Sequence, residues 1–136
     1  MPFMTWNDKL SVGIAVIDED HKKLVTMINE LYDGIREGHG REALGGIFDR
    51  LIDYTRYHFA REEKLFDETA YSGAKKHKKE HGDLIHVVLK AREEFQSSQV
   101  IAPSLEMMGV LKDWLFDHIL GSDQKYAPYL KTMGIH

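Results

Sequence analysis

From Phe3 to Ala102 the chain contains no proline, and its remaining prolines stand at positions 2, 103 and 128. Every residue of that long stretch can donate to a helical ladder, so nothing local prevents helices from forming. Apolar residues recur there at steps of three and four. One stripe carries His21, Leu24, Val25, Ile28, Leu31, Tyr32 and Ile35; the next carries Leu44, Ile47, Phe48, Leu51, Thr55, His58, Glu62 and Leu65. A third carries His77, His81, Leu84, Val88, Ala91 and Phe95, and a fourth Met107, Met108, Leu111, Trp114, Leu115 and His118. The spacing predicts helices over about 18–37, 41–66, 72–96 and 103–121. Asp18 and Asp20 suit a helix start, Gly38-His39-Gly40 a stop, and Pro103 a first turn. Asp67–Ser72 and Gln96–Ala102 read as connectors, and no alternating run is long enough for a strand. Short connectors make neighbouring helices antiparallel. The expected fold is all-α: an up-down-up-down antiparallel four-helix bundle, one domain over 1–136. An arm over 1–17 would pack Trp6, Leu10, Val12, Ile14 and Val16 along it.

Composition then narrows the chemistry. The chain has no cysteine, which excludes a disulfide framework, zinc–thiolate sites, iron–sulfur clusters and a cysteine nucleophile. It has eight histidines, so any bound metal must be held by imidazole and carboxylate. Eighteen basic against twenty-two acidic residues give a net charge of −4, which argues against a dedicated nucleic-acid binder. No stretch approaches the roughly 20 apolar residues of a membrane span, and no secretory signal opens the chain. A cytoplasmic protein is expected, and a closed bundle that buries its own core is expected to be a monomer.

The histidines and carboxylates lie on the same stripes as the core. His58 and Glu62 form an HxxxE pair, His77 and His81 an HxxxH pair; a spacing of four puts both side chains on one helix face. Taken singly, each is ordinary: a hydrogen-bonded core histidine, or a solvated pair beside Lys75, Lys76, Lys78 and Lys79. HxxxH is not the zinc-protease HExxH, since position 78 is lysine. Their levels are what matter. In this topology the starts of helices one and three lie beside the ends of helices two and four. His21, His58, Glu62, His77, His81 and His118 therefore gather at one end of the bundle.

Asp123 is the seventh candidate. Five α-helical steps from His118 would turn its side chain about 140° away from that face. Gly121-Ser122 is a place for the helix to end or loosen and bring the carboxylate inward. Five imidazoles and two carboxylates exceed what one ion takes and suit a metal pair of iron, copper, nickel or zinc. If two six-coordinate metals share both carboxylates and a solvent-derived bridge, five histidines fill all but one of the remaining positions. That vacancy is where a small molecule can bind. His39, His86 and His136 lie off these faces and are assigned no role.

Trp6 with Leu10-Ser11-Val12-Gly13, Ile17-Asp18-Glu19-Asp20-His21, His58xxxGlu62-Glu63, Tyr71 ahead of His77xxxHis81, and Trp114xxxHis118xxxxAsp123 resemble the hemerythrin family, in its single-domain bacterial form. The similarity spans nearly the whole chain, with no sensor or effector domain appended. The resemblance implies two non-haem iron ions with a bridging oxo or hydroxo group, binding O2 reversibly. It implies His77, His81 and His118 on one iron, His21 and His58 on the other, and Glu62 and Asp123 bridging. O2 carriage, storage or delivery without catalysis is the expected function, and Trp114, Leu115 and Ile119 are candidates for an apolar pocket wall. A di-iron redox enzyme acting on peroxide or nitric oxide competes with it, with Tyr54, Tyr57 or Tyr126 as proton or electron routes. An iron- or O2-sensing module is the third reading.

Overall fold

The computed structural model describes residues 3–97 and 105–136. Helices α1 (Ala15–Arg36), α2 (Arg41–Thr69), α3 (Ala74–Ser97) and α4 (Leu105–His118) form the bundle, and the described residues contain no strand. A π-helical turn, Ile119–Asp123, continues α4 into a further helix, α5 (Gln124–Thr132). Cross-helix bonds fix the antiparallel order. Arg50 on α2 pairs with Glu30 of α1, Arg92 on α3 with Asp49 of α2, and the Trp114 indole of α4 donates to the Leu84 carbonyl of α3.

The elements differ from the expected spans where local bonding overrides pattern. α1 begins at Ala15 because the Asp18 carboxylate accepts from the Val12 backbone N–H and the Ser11 hydroxyl, tying the arm to the first turn. Gly38, in the left-handed region at φ 75°, follows its last turn. α2 runs on to Thr69, where Ala70 closes it in a left-handed conformation (φ 52°). Asp67–Thr69 is thus helix rather than connector. Gln96 and Ser97 belong to α3, while the rest of the expected loop and the start at Pro103 lie outside the described residues. The fourth helix does not stop near 121; its i→i+5 turn absorbs the Gly121-Ser122 weak point and the chain continues.

In the arm, Met4, Leu10, Val12 and Ile14 are buried, whereas Val16 is 44% exposed and faces outward, against expectation. Asn29 clasps the arm from α1, accepting from the Met4 N–H and donating to the Met4 carbonyl. The interior holds two apolar clusters. The larger packs Leu31, Leu44, Phe48, Leu51, Phe95 and Leu111 among others, with Phe48 and Phe95 stacked at 5.5 Å. The smaller gathers Val12, Ile14, Ile17, Phe66, Tyr126, Ala127 and Leu130 from the arm, α1, α2 and α5. It closes one end of the bundle as a plug.

Candidate metal centre

Buried polar side chains lie between core and plug. His21 comes from the start of α1, His58 and Glu62 from the later turns of α2, and His77 and His81 from the start of α3. His118 ends α4, and Asp123 ends the π turn. All seven are buried, Glu62 and Asp123 completely at 0% exposure. The helical spacing places six of them; the π turn places the seventh. With one residue more per turn than expected of an α-helix, five steps bring Asp123 round toward the face of His118. Their atoms, 3.0 Å apart (His118 Nε2 to Asp123 Oδ1), show the result.

The seven resolve into two overlapping groups. Glu62, His77, His81, His118 and Asp123 offer donor atoms all within 4.8 Å of one another, and so do His21, His58, Glu62 and Asp123. Both carboxylates belong to both groups. Asp123 faces His77 and His118 with Oδ1 and His21 with Oδ2, each at 3.0 Å. Glu62 Oε1 lies 3.2 Å from His58 Nε2 and 3.1 Å from His81 Nε2. The five Nε2 atoms, Glu62 Oε1 and both Asp123 oxygens are buried without a hydrogen-bond partner. Buried polar atoms left this way are costly unless something else satisfies them. Converging imidazole nitrogens and carboxylate oxygens are what a transition-metal cation satisfies. The residues fit a metal site.

Their electrostatics follow from proximity. Burial alone would lower the His58 pKa, but Glu62 and Asp20 outweigh it and raise it to about 10. His118 is likewise raised, with Asp123 overcoming burial. Burial and the neighbouring Asp123 push Glu62 up, yet His58 and His81 carry it below the ordinary carboxylate range. Asp123 is held well below that range despite its burial, because His118, His21 and His77 surround it.

Around the centre, other side chains hold the rings from behind. Asp20 Oδ2 accepts from His58 Nδ1 at 2.9 Å, Glu63 lies 3.3 Å from His81 Nδ1, and Glu80 lies 3.8 Å from His118 Nδ1. Ser122, inside the π turn, donates its hydroxyl to Glu80. The Phe59 ring stacks on His81 with centroids 3.8 Å apart, and Phe66 meets His77 edge-on. The buried Tyr126 hydroxyl donates to Glu62 Oε2; burial and the two carboxylates push its own pKa well up. Tyr54 donates to Asp20, and Tyr57 accepts from Arg61 at the surface. The sequence pattern placed Asp20 at a helix start and left its role behind His58 unread. The signal was present: 20 precedes a histidine on the inward stripe, and it is 3% exposed. Trp114, Leu115 and Ile119 are all buried in the larger cluster. His39 sits at the surface beside Glu37, and His86 is exposed.

Comparison with known proteins bears on this arrangement. A family model described as the hemerythrin HHE cation binding domain matches residues 12–130. The chain is 39% identical over 132 residues to a bacteriohemerythrin of Stenotrophomonas maltophilia (strain R551-3), covering 97% of this chain and 84% of that one. It is 39% identical over 127 residues to a bacteriohemerythrin of Pseudomonas aeruginosa (strain LESB58), covering 93% and 81%. The fold superposes with a TM-score of 0.86 on the crystal structure of a leucine-to-alanine mutant of a hemerythrin, at 30% identity, over 96% of this chain and 98% of the other.

Proposed function

The chain belongs to the hemerythrin family, and from that premise we propose that it binds O2 reversibly at a carboxylate-bridged pair of non-haem iron ions. In this reading His77, His81 and His118 hold one iron, His21 and His58 hold the other, and Glu62 and Asp123 bridge the two. One observation carries it: two buried donor groups that share both carboxylates and nothing else. The ligand count, completed by a solvent-derived oxo or hydroxo bridge, leaves the two-histidine side one ligand short. When bound, the iron pair supplies two electrons and that open position for O2.

The chain's own residues supply the rest. Five neutral imidazoles against two carboxylates make a less electron-rich shell than the four-carboxylate di-iron bundles have, which favours holding O2 over splitting it. Tyr126 holds Glu62 from its far oxygen, so the carboxylate keeps one orientation. Trp114, Leu115 and Ile119 present apolar surface on the core side, and the Ile17, Phe66 and Leu130 plug covers the other. Both exclude water. No helix among the described residues is long and apolar enough to cross a membrane; we read the working form as a cytoplasmic monomer, which sedimentation of the purified protein checks.

The test is direct. The iron-loaded protein is reduced without air, exposed to O2 and then evacuated while its visible spectrum is recorded. Bands that appear with O2 and vanish under vacuum support the carrier. Irreversible bleaching with turnover of peroxide or nitric oxide would replace it with the enzyme reading. Metal analysis giving fewer than two irons per chain would refute the paired centre.

A further inference from the structure

The histidines of the centre are not held alike, and the difference falls within one metal's proposed ligands. Behind His58 stands Asp20, 3% exposed, whose every contact is a donor. Its Oδ2 takes the His58 Nδ1–H at 2.9 Å and the Arg61 Nε at 3.2 Å, and its Oδ1 takes the Tyr54 hydroxyl at 2.7 Å. Behind His21, by contrast, the ring Nδ1 is buried and makes no hydrogen bond. Across the centre the corresponding carboxylates are farther away and more exposed: Glu63 at 3.3 Å from His81 and Glu80 at 3.8 Å from His118.

A carboxylate that accepts an imidazole N–H draws that proton toward itself and makes the opposite ring nitrogen a stronger donor to a metal. How strongly it does so depends on what else it accepts. Each further donor on the same oxygens diverts part of its negative charge. Tyr54 and Arg61 are such donors, and both reach Asp20 from the surface side, with Arg61 also against the exposed Tyr57.

We propose that Asp20, Tyr54 and Arg61 form a positioning unit for His58 that sets the electron-donating strength of this one ligand, and through it the reduction equilibrium of the two-histidine metal. Asp20 strengthens the ligand; Tyr54 and Arg61 restrain that effect. His21, with nothing behind it, is the unassisted partner. This inference rests on the ligand assignments proposed above.

The sign of the effect separates tuning from mere support. Asp20→Asn weakens the acceptor and makes the metal easier to reduce. Tyr54→Phe removes a competing donor, strengthens the Asp20–His58 bond and makes it harder to reduce, as does Arg61→Gln. Each shift is about fivefold in the reduction equilibrium, the worth of one neutral hydrogen bond. Two readouts on the full chain check this: the midpoint potential of the iron-loaded protein, and the NMR shift of the His58 Nδ1 proton in the zinc-loaded protein. Asp20→Asn and Tyr54→Phe are expected to move both in opposite directions. A purely structural role would move them the same way or leave them unmoved, and either result overturns the tuning. If the unaltered chain binds neither metal, the ligand assignment fails and this inference falls with it. Metal bound in full, with same-sign shifts, overturns the inference alone. Tyr54→Phe loses only a half-buried hydroxyl, so the comparison survives even if Asp20→Asn folds poorly.

Discussion

The two ends of the bundle are built on the same helical stripes and differ in what those stripes carry. Along α2 the inward face reads Leu44, Ile47, Phe48 and Leu51, then Thr55, His58 and Glu62. Thr55 marks the change and adds no polar group to the interior, because its hydroxyl donates back to the Leu51 carbonyl. Below it, apolar side chains gain stability simply by leaving water. Above it, buried nitrogens and oxygens lack hydrogen-bond partners. One end holds the helices in register without help, and that rigidity lets the other keep a constellation costly on its own. The plug of Ile17, Phe66, Tyr126 and Leu130 beyond the centre makes the arrangement a sandwich rather than an open mouth.

Substitutions that strike one end alone separate the two. Asp123→Ala should have the largest effect, because Asp123 belongs to both donor groups. Metal analysis is expected to fall from two irons per chain toward none, while far-ultraviolet circular dichroism stays helical; retention of both irons would refute the shared carboxylate. Phe48→Ala strikes the opposite end and should cost about 3–5 kcal/mol by denaturant unfolding, with iron content unchanged. If it released the metal, the ends would not be independent.

Metal removal should come next, at about 2.7 kcal/mol when free metal stands a hundredfold above its Kd. The loss should depend on pH. In the metal-free chain the His58 pKa is raised from 6.5 to about 10, so its contribution is full below the lower value and disappears as pH rises through the upper. Glu62 and Asp123 are depressed from 4.5 and 3.8, so their contributions are present above those values and lost as pH falls. Metal-free stability should therefore peak at mildly acidic pH and decline toward 10, and thermal melts with and without metal should diverge over that alkaline range. The smallest effect is expected for Tyr126→Phe, about 1–2 kcal/mol from the lost bond to Glu62, with iron retained. A loss as large as that of Phe48→Ala would mean the plug, rather than the core, holds the bundle together.

How much of this could be read from residues alone follows the same division. A period of 3.6 places His21, His58, Glu62, His77, His81 and His118 on inward faces, since each lies in an unbroken α-helix whose register the core residues fix. Asp123 escapes that arithmetic because its register depends on one turn of different pitch, and the spacing shows only where a helix can loosen. The plug was not legible for the same reason: Tyr126, Ala127 and Leu130 lie past the expected end of the fourth helix. The hydrogen bonds behind the rings join residues far apart in sequence, such as Asp20 with His58 or Ser122 with Glu80, and no local pattern marks such pairs.

The π turn has a consequence for how such a chain can change over generations. It holds one residue more than the helix on either side requires, so deleting a residue within 119–123 would turn the end of the protein rather than shorten it. About 100° of rotation would carry Asp123, Tyr126, Ala127 and Leu130 off their faces together. Leu120 and Gly121 are exposed and can vary in kind. A lost codon there is a different event from a changed one: it would unseat a ligand and the plug in a single step.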